Sequence, residues 1–149
     1  MPYLTSATAM MKPPVSPAVE VLASDSRHGE YGIAPLGSQV LRMTISGFWS
    51  APVMTDFARD CVVAVKALPC LAKDHLILCD ISGAAIQSQP MFAGFMALLV
   101  ESRVRPRRVA FVSTNPVSRM QARRLMAARD DVGLFDDEAP ALRWLMADA

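Results

Sequence analysis

The sequence predicts an α/β domain with a mostly parallel sheet. Two short apolar runs, His75 to Ser82 (HLILCDIS) and Arg108 to Ser113 (RVAFVS), carry most of that prediction. They lack the alternation of a strand with one wet face, as expected of strands buried on both sides. Each is followed by a helical pattern with a proline in its first turn, Pro90 and Pro116. Strand-then-helix repetition implies right-handed crossovers and parallel neighbours. The chain has 149 residues, 52% of them apolar and 19% charged, which suits one globular domain with a real core.

Residues 1–30 are rich in Pro, Ser and Ala, with Pro13, Pro14 and Pro17 close together. They show neither helical nor strand periodicity and read as a flexible tail ahead of a domain at 31–149. Ile33 to Leu36 and Gln39 to Ser46 read as strands around a Gly37-Ser38 hairpin turn. Ser50 to Leu68 reads as a helix. Pro52 falls in its first turn, Phe57, Cys61, Ala64, Val65 and Leu68 recur at helical spacing, and Pro69 stops it.

The first apolar run ends at Asp80 and is broken by Gly83. Ser88 is placed to cap a second helix reaching Arg103. After the second run, Asn115 caps a third helix, from Pro116 to about Arg129. Val132 to Phe135 is a brief edge strand. Asp136 is expected to cap a last helix, with Asp137 and Glu138 in a first turn that favours acids and Leu142, Leu145 and Met146 on its apolar face. The order is ββαβαβαβα, a mixed sheet of four or five strands with about four helices.

Chemistry is bounded mainly by what is missing. Three cysteines, Cys61, Cys70 and Cys79, have no C-x-x-C spacing, and only His28 and His75 could join them on a metal. No metal site, cofactor or disulfide framework is expected, and reduced thiols suit a cytoplasmic protein. Glycine-rich phosphate loops and nucleophile elbows are absent. A triad of Ser82, His75 and Asp80 fails because alternation along one strand points His75 and Asp80 to opposite faces. Phosphoryl transfer to Asp80 would need a second acidic cluster for Mg²⁺, and Leu41 to Gly47 offers none. The N-terminus has no signal-like apolar stretch, and Met91 to Val100 is half the length that crosses a bilayer. The expectation is a non-enzymatic protein with no membrane span.

Two features remain. Arg103, Arg105, Arg107, Arg108, Arg119, Arg123, Arg124 and Arg129 are eight of the fifteen basic residues. Arg119, Arg123 and Arg124 form a candidate anion patch. The acids Asp130, Asp131, Asp136, Asp137 and Glu138 follow directly, and no stacking aromatics interleave, so nucleic acid is not an expected partner. The second helix, from Met91 through Phe92, Ala93, Phe95, Met96, Ala97, Leu98 and Leu99 to Val100, has no polar face. A helix over a sheet needs only one apolar stripe. Its outer side is therefore expected to be covered too, by a partner chain, neighbouring helices, the tail or an apolar ligand. The candidate interaction or ligand surface is Ser88, Met91, Phe92, Phe95, Met96 and Leu99.

The element order, Arg108 to Val112, Phe135-Asp136, Glu138-Ala139, Leu142, Trp144 and Leu145, together with Gly47 and Asp80, resembles the SpoIIAA-like family over residues 37–147. That family is related to STAS domains and to SEC14-type lipid-binding modules. The resemblance implies helices mainly on one side of the sheet and a regulatory, protein-binding or self-associating module. It leaves open a carrier of a small apolar ligand or lipid and, more weakly, a phosphoryl-accepting signalling domain. Anti-sigma-antagonist relatives carry a switch serine in an Asp-Ser-Ser-Gly motif. The corresponding stretch here is Ile86-Gln87-Ser88-Gln89-Pro90, with a proline at the acceptor position, so that switch is not carried over.

Overall fold

The computed structural model describes residues 20–22, 29–101 and 105–147. One sheet runs in strict sequence order through β1 (Glu20–Leu22), β2 (Glu30–Leu36), β3 (Val40–Gly47), β4 (Leu76–Ala84), β5 (Arg108–Val112) and β6 (Val132–Phe135). The first three strands are antiparallel, and β3 to β6 are parallel. The helices are α1 (Ala51–Ala67), α2 (Gln89–Met96), α3 (Pro116–Met126) and α4 (Glu138–Met146). Five strands and four helices follow the expected mixed order.

Several boundaries differ from expectation. A three-residue strand, β1, lies inside the segment read as a tail and pairs with β2, Glu20 opposite Ile33, making a sixth strand. Residues 1–19 and 23–28 lie outside the described residues. The second helix is α-helical only to Met96, and Ala97–Glu101 continues it as a π-helix. The α4 cap is Asp137, whose side chain accepts from the Glu138 N–H at 2.8 Å. Asp136 turns instead to Arg119 Nη1 at 2.7 Å, which removes it from the cap.

The sheet separates two cores by simple alternation. Leu41, Met43 and Ile45 of β3 and Ile77, Cys79 and Ile81 of β4 face α1, α2 and α3. Val40, Leu76, Leu78, Ala110 and Val112 face α4, packing on Ala141 and Leu145. Three helices on one side and one on the other explain why β4 and β5 read as unbroken apolar runs. The thicker side is anchored by Trp49, whose ring lies 5.0 Å from Phe57 and 5.1 Å from Phe95. Trp49 Nε1 donates to the Ser46 carbonyl at 2.9 Å, so the indole is buried without an orphaned donor.

Candidate functional site

An apolar cavity of about 70 Å³ lies between the sheet and the three-helix layer. Its floor is Met43, Ile77, Cys79 and Phe111 from three central strands. Phe57, Cys61 and Val65 of α1 and Ala122 and Leu125 of α3 form the sides. Phe92 and Phe95 of α2, with Leu98 and Leu99 of the π-helical turn, cover it. The roof thus contains the π-helical turn, a geometry that is rare in helices and frequent at functional sites.

The polar side chains on the wall are Gln87, Gln121, Ser118 and His75. At one end Gln87 locks the entry into α2. Its Nε2 donates to the Gly47 and Ala85 carbonyls at 2.9 and 2.7 Å, and its Oε1 accepts from the Trp49 N–H at 2.9 Å. Gln121 of α3 completes the lock, with Oε1 accepting from the Gln87 N–H at 3.0 Å and Nε2 donating to the Ala85 carbonyl at 3.0 Å. At the head of β4, His75 is fully buried. Its Nδ1 bonds the Ala72 carbonyl, and its Nε2 has no partner. Burial holds the imidazole pKa below its ordinary value, the bond to Ala72 only partly opposing it. Burial also pushes the thiols of Cys61 and Cys79 well up. Both stay protonated and behave as small apolar groups.

The candidate residues of α2 divide by face. Met91, Phe95 and Leu99 are buried in the core, and Phe92, Met96 and Leu98 are half-buried against it. The outermost line is Ala93 and Ala97, small and exposed. The flanks are covered from within the chain. Met54 of α1 lies against Gly94, and the Arg124 guanidinium sits 4.1 Å from the Phe92 ring centroid. Ser88 caps α2, its Oγ accepting from the Met91 N–H at 3.4 Å.

The arginines differ in their surroundings. Arg119 Nη1 donates to the Ser113 carbonyl and to Asp136, each at 2.7 Å. Arg124 stacks on Phe92, and Arg123 is exposed. Arg108 bonds the Trp144 and Ala147 carbonyls at the end of α4. Arg129 is buried, its guanidinium spanning the carbonyls of Leu99 (2.7 Å), Pro106 (2.8 Å) and Arg107 (3.2 Å) and the Asp131 carboxylate (2.6 Å). Arg103 lies outside the described residues.

Asp80 accepts from the Ser82 N–H at 2.9 Å, the geometry of a turn carboxylate. Among the described residues no three His, Cys, Asp or Glu side chains gather to hold a metal. Nor is any helix of the described residues long and apolar enough to cross a membrane.

Sequential sheet order, a parallel β3–β6 block and three helices over one face define a SpoIIAA-like α/β fold. No family model matches the sequence, and no curated protein matches it. Among solved structures it is similar to an uncharacterised protein of the DUF3478 family with a SpoIIAA-like fold from Shewanella loihica. The TM-score is 0.63 at 17% identity, covering 83% of this chain and 98% of that one. It is also similar to an anti-sigma factor antagonist from Mycobacterium paratuberculosis. There the TM-score is 0.55 at 12% identity, covering 89% and 98%. The fold implied by the resemblance in Arg108 to Val112 and Phe135 to Leu145 is the observed one.

Proposed function

We propose that this protein is a non-catalytic binding module that receives a small apolar ligand in the cavity beneath α2. The observation that carries the reading is the cavity itself. Four large side chains of the second-helix segment, Phe92, Phe95, Leu98 and Leu99, line this space, while the outer line of α2 offers alanines. Apolar walls with a few polar groups at fixed places are the usual composition of a small-molecule site. A titration with dissolved xenon, small enough for a space of about 70 Å³, followed by methyl and aromatic NMR shifts, tests it. Saturable shifts at Ile77, Phe111, Leu99 and Leu125 are expected. Unchanged spectra at saturation would count against an accessible cavity.

A second reading is docking of a partner protein, self-association included, at the end of the sheet where α2 begins. Phe48, Ile86, Val117 and Met120 are exposed on consecutive loops and the start of α3. The hydrogen bonds joining Trp49, Gln87 and Gln121 hold those segments together. The structural likeness to a protein named an anti-sigma factor antagonist is in keeping with a regulatory, protein-binding use. Light scattering reads the self-association. A monomer at high micromolar concentration, unchanged by Phe48→Glu with Met120→Glu, removes that form of the reading.

A further inference from the structure

We propose that His75 is the polar anchor of the cavity, and that its ligand is a small amphiphile with a short hydrocarbon body and one hydrogen-bond donor, a simple alcohol. The inference rests on the cavity being a ligand site and specifies what that site selects.

The Ala72 carbonyl can only accept, so the proton of the neutral ring sits on Nδ1. The ring is neutral because burial disfavours the imidazolium. Nε2 therefore presents a bare lone pair, and it is the one buried side-chain nitrogen or oxygen among the described residues without a partner. Orphaned buried polar atoms are uncommon and call for an explanation.

Its placement is fixed. His75 precedes β4 and shares the face of Ile77 and Cys79, which turns the ring towards the three-helix side. The strand start is held by Leu76 N–H to the Gln39 carbonyl and Arg107 N–H to the His75 carbonyl, both 2.9 Å. A bound water would need two to four polar partners. The amides of Gln87 and Gln121 are already engaged with the backbone, and the Ser118 hydroxyl is engaged with Ser113 Oγ and the Asn115 carbonyl. The neighbouring thiols are weak donors.

Charge and size narrow the class. A carboxylate would bring a buried charge against a lone pair, and a cation would lose its hydration to one acceptor. A neutral O–H does neither. An engineered apolar cavity of about 150 Å³ holds benzene, so a space of about 70 Å³ suits a shorter body.

The test compares two isomers, ethanol and dimethyl ether, which share formula and heavy-atom count but differ in having a donor. Binding is read from methyl shifts of Ile77 and Leu99 and from the ¹⁵N resonance of His75 Nε2. Both isomers are expected to enter, with the alcohol about tenfold tighter, the worth of one buried hydrogen bond to an otherwise unpaired acceptor. Only the alcohol should move Nε2. His75→Leu should bind both and lose the preference. Entry of both with equal affinity and an unmoved Nε2 overturns the anchor while leaving the cavity as a ligand site. Entry of neither at high millimolar concentration overturns both. A preference retained in His75→Leu also overturns the anchor, and if that variant does not fold, the wild-type pair still decides.

Discussion

Enlarging Ala122 should stabilise this protein, the opposite of what enlarging a packed core residue does. Ala122 sits on α3, is 1% exposed and lines the cavity. Empty apolar volume costs about 24 cal/mol per Å³. Filling a cavity of about 70 Å³ therefore returns at most about 1.7 kcal/mol. Ala122→Leu adds three carbons worth about 0.8 kcal/mol each on burial, so the available volume rather than the side chain sets the ceiling. Leucine is close to alanine in helix propensity, which leaves α3 little changed. The expected net gain is about 1 kcal/mol, allowing for imperfect fit. Urea denaturation reads it as a higher midpoint with unchanged slope. The same variant should no longer take up xenon or ethanol. A loss of about 1–3 kcal/mol, the usual result of overpacking, would refute the reasoning by showing that the space is already filled.

Other substitutions and conditions test the surroundings of the cavity. Arg129→Met should destabilise by about 3–5 kcal/mol in urea, because Asp131 and three backbone carbonyls lose their shared partner. A cost below about 1 kcal/mol would place that guanidinium among ordinary surface ion pairs. The pH dependence follows from His75. The unfolded imidazole takes up a proton near about pH 6.5, while burial holds the folded one to a lower value. The unfolded chain then binds more protons, so the His75 contribution is full above about pH 6.5 and is lost as pH falls through the folded value. Wild type should lose stability across that window more steeply than His75→Leu, and equal slopes would contradict it. Iodoacetamide should label Cys70, which is half-buried, before Cys61 and Cys79, whose buried thiols resist ionisation. One added label on the intact native protein is expected by mass spectrometry, against labelling of all three cysteines after denaturation.

The elements that were legible in the sequence are those whose pattern is local. The runs at Leu76 to Ile81 and Val109 to Val112 declared strands covered on both sides, and Pro52, Pro90 and Pro116 marked helix starts. Strand β1 has three residues and takes its conformation from pairing with β2, so no period could announce it. The all-apolar second helix signalled a covered outer side, whereas Ala93 and Ala97 there are exposed and only its flanks are covered. What covers them comes from Met54 and Arg124, far away in sequence. Clustering in sequence did not show that Arg129 is drawn inward by the Leu99 and Pro106 carbonyls, 30 and 23 residues away. Gln87 and Gln121 were missed for the same reason, since an amide bonded to distant backbone looks like any loop or surface glutamine. His75 was visible only as a lone histidine. Its orphaned nitrogen follows from the 3₁₀ turn at Ala72–Asp74, which supplies the Nδ1 partner and leaves Nε2 without one.

The most direct test is a crystal structure under xenon pressure, because xenon enters dry apolar cavities without needing a specific contact. Xenon density is expected between Ile77, Phe111, Ala122 and Leu99, and it should be absent in Ala122→Leu. Side chains closed over that volume, with no xenon in the wild type, would contradict the central claim that the space beneath α2 is open to a ligand.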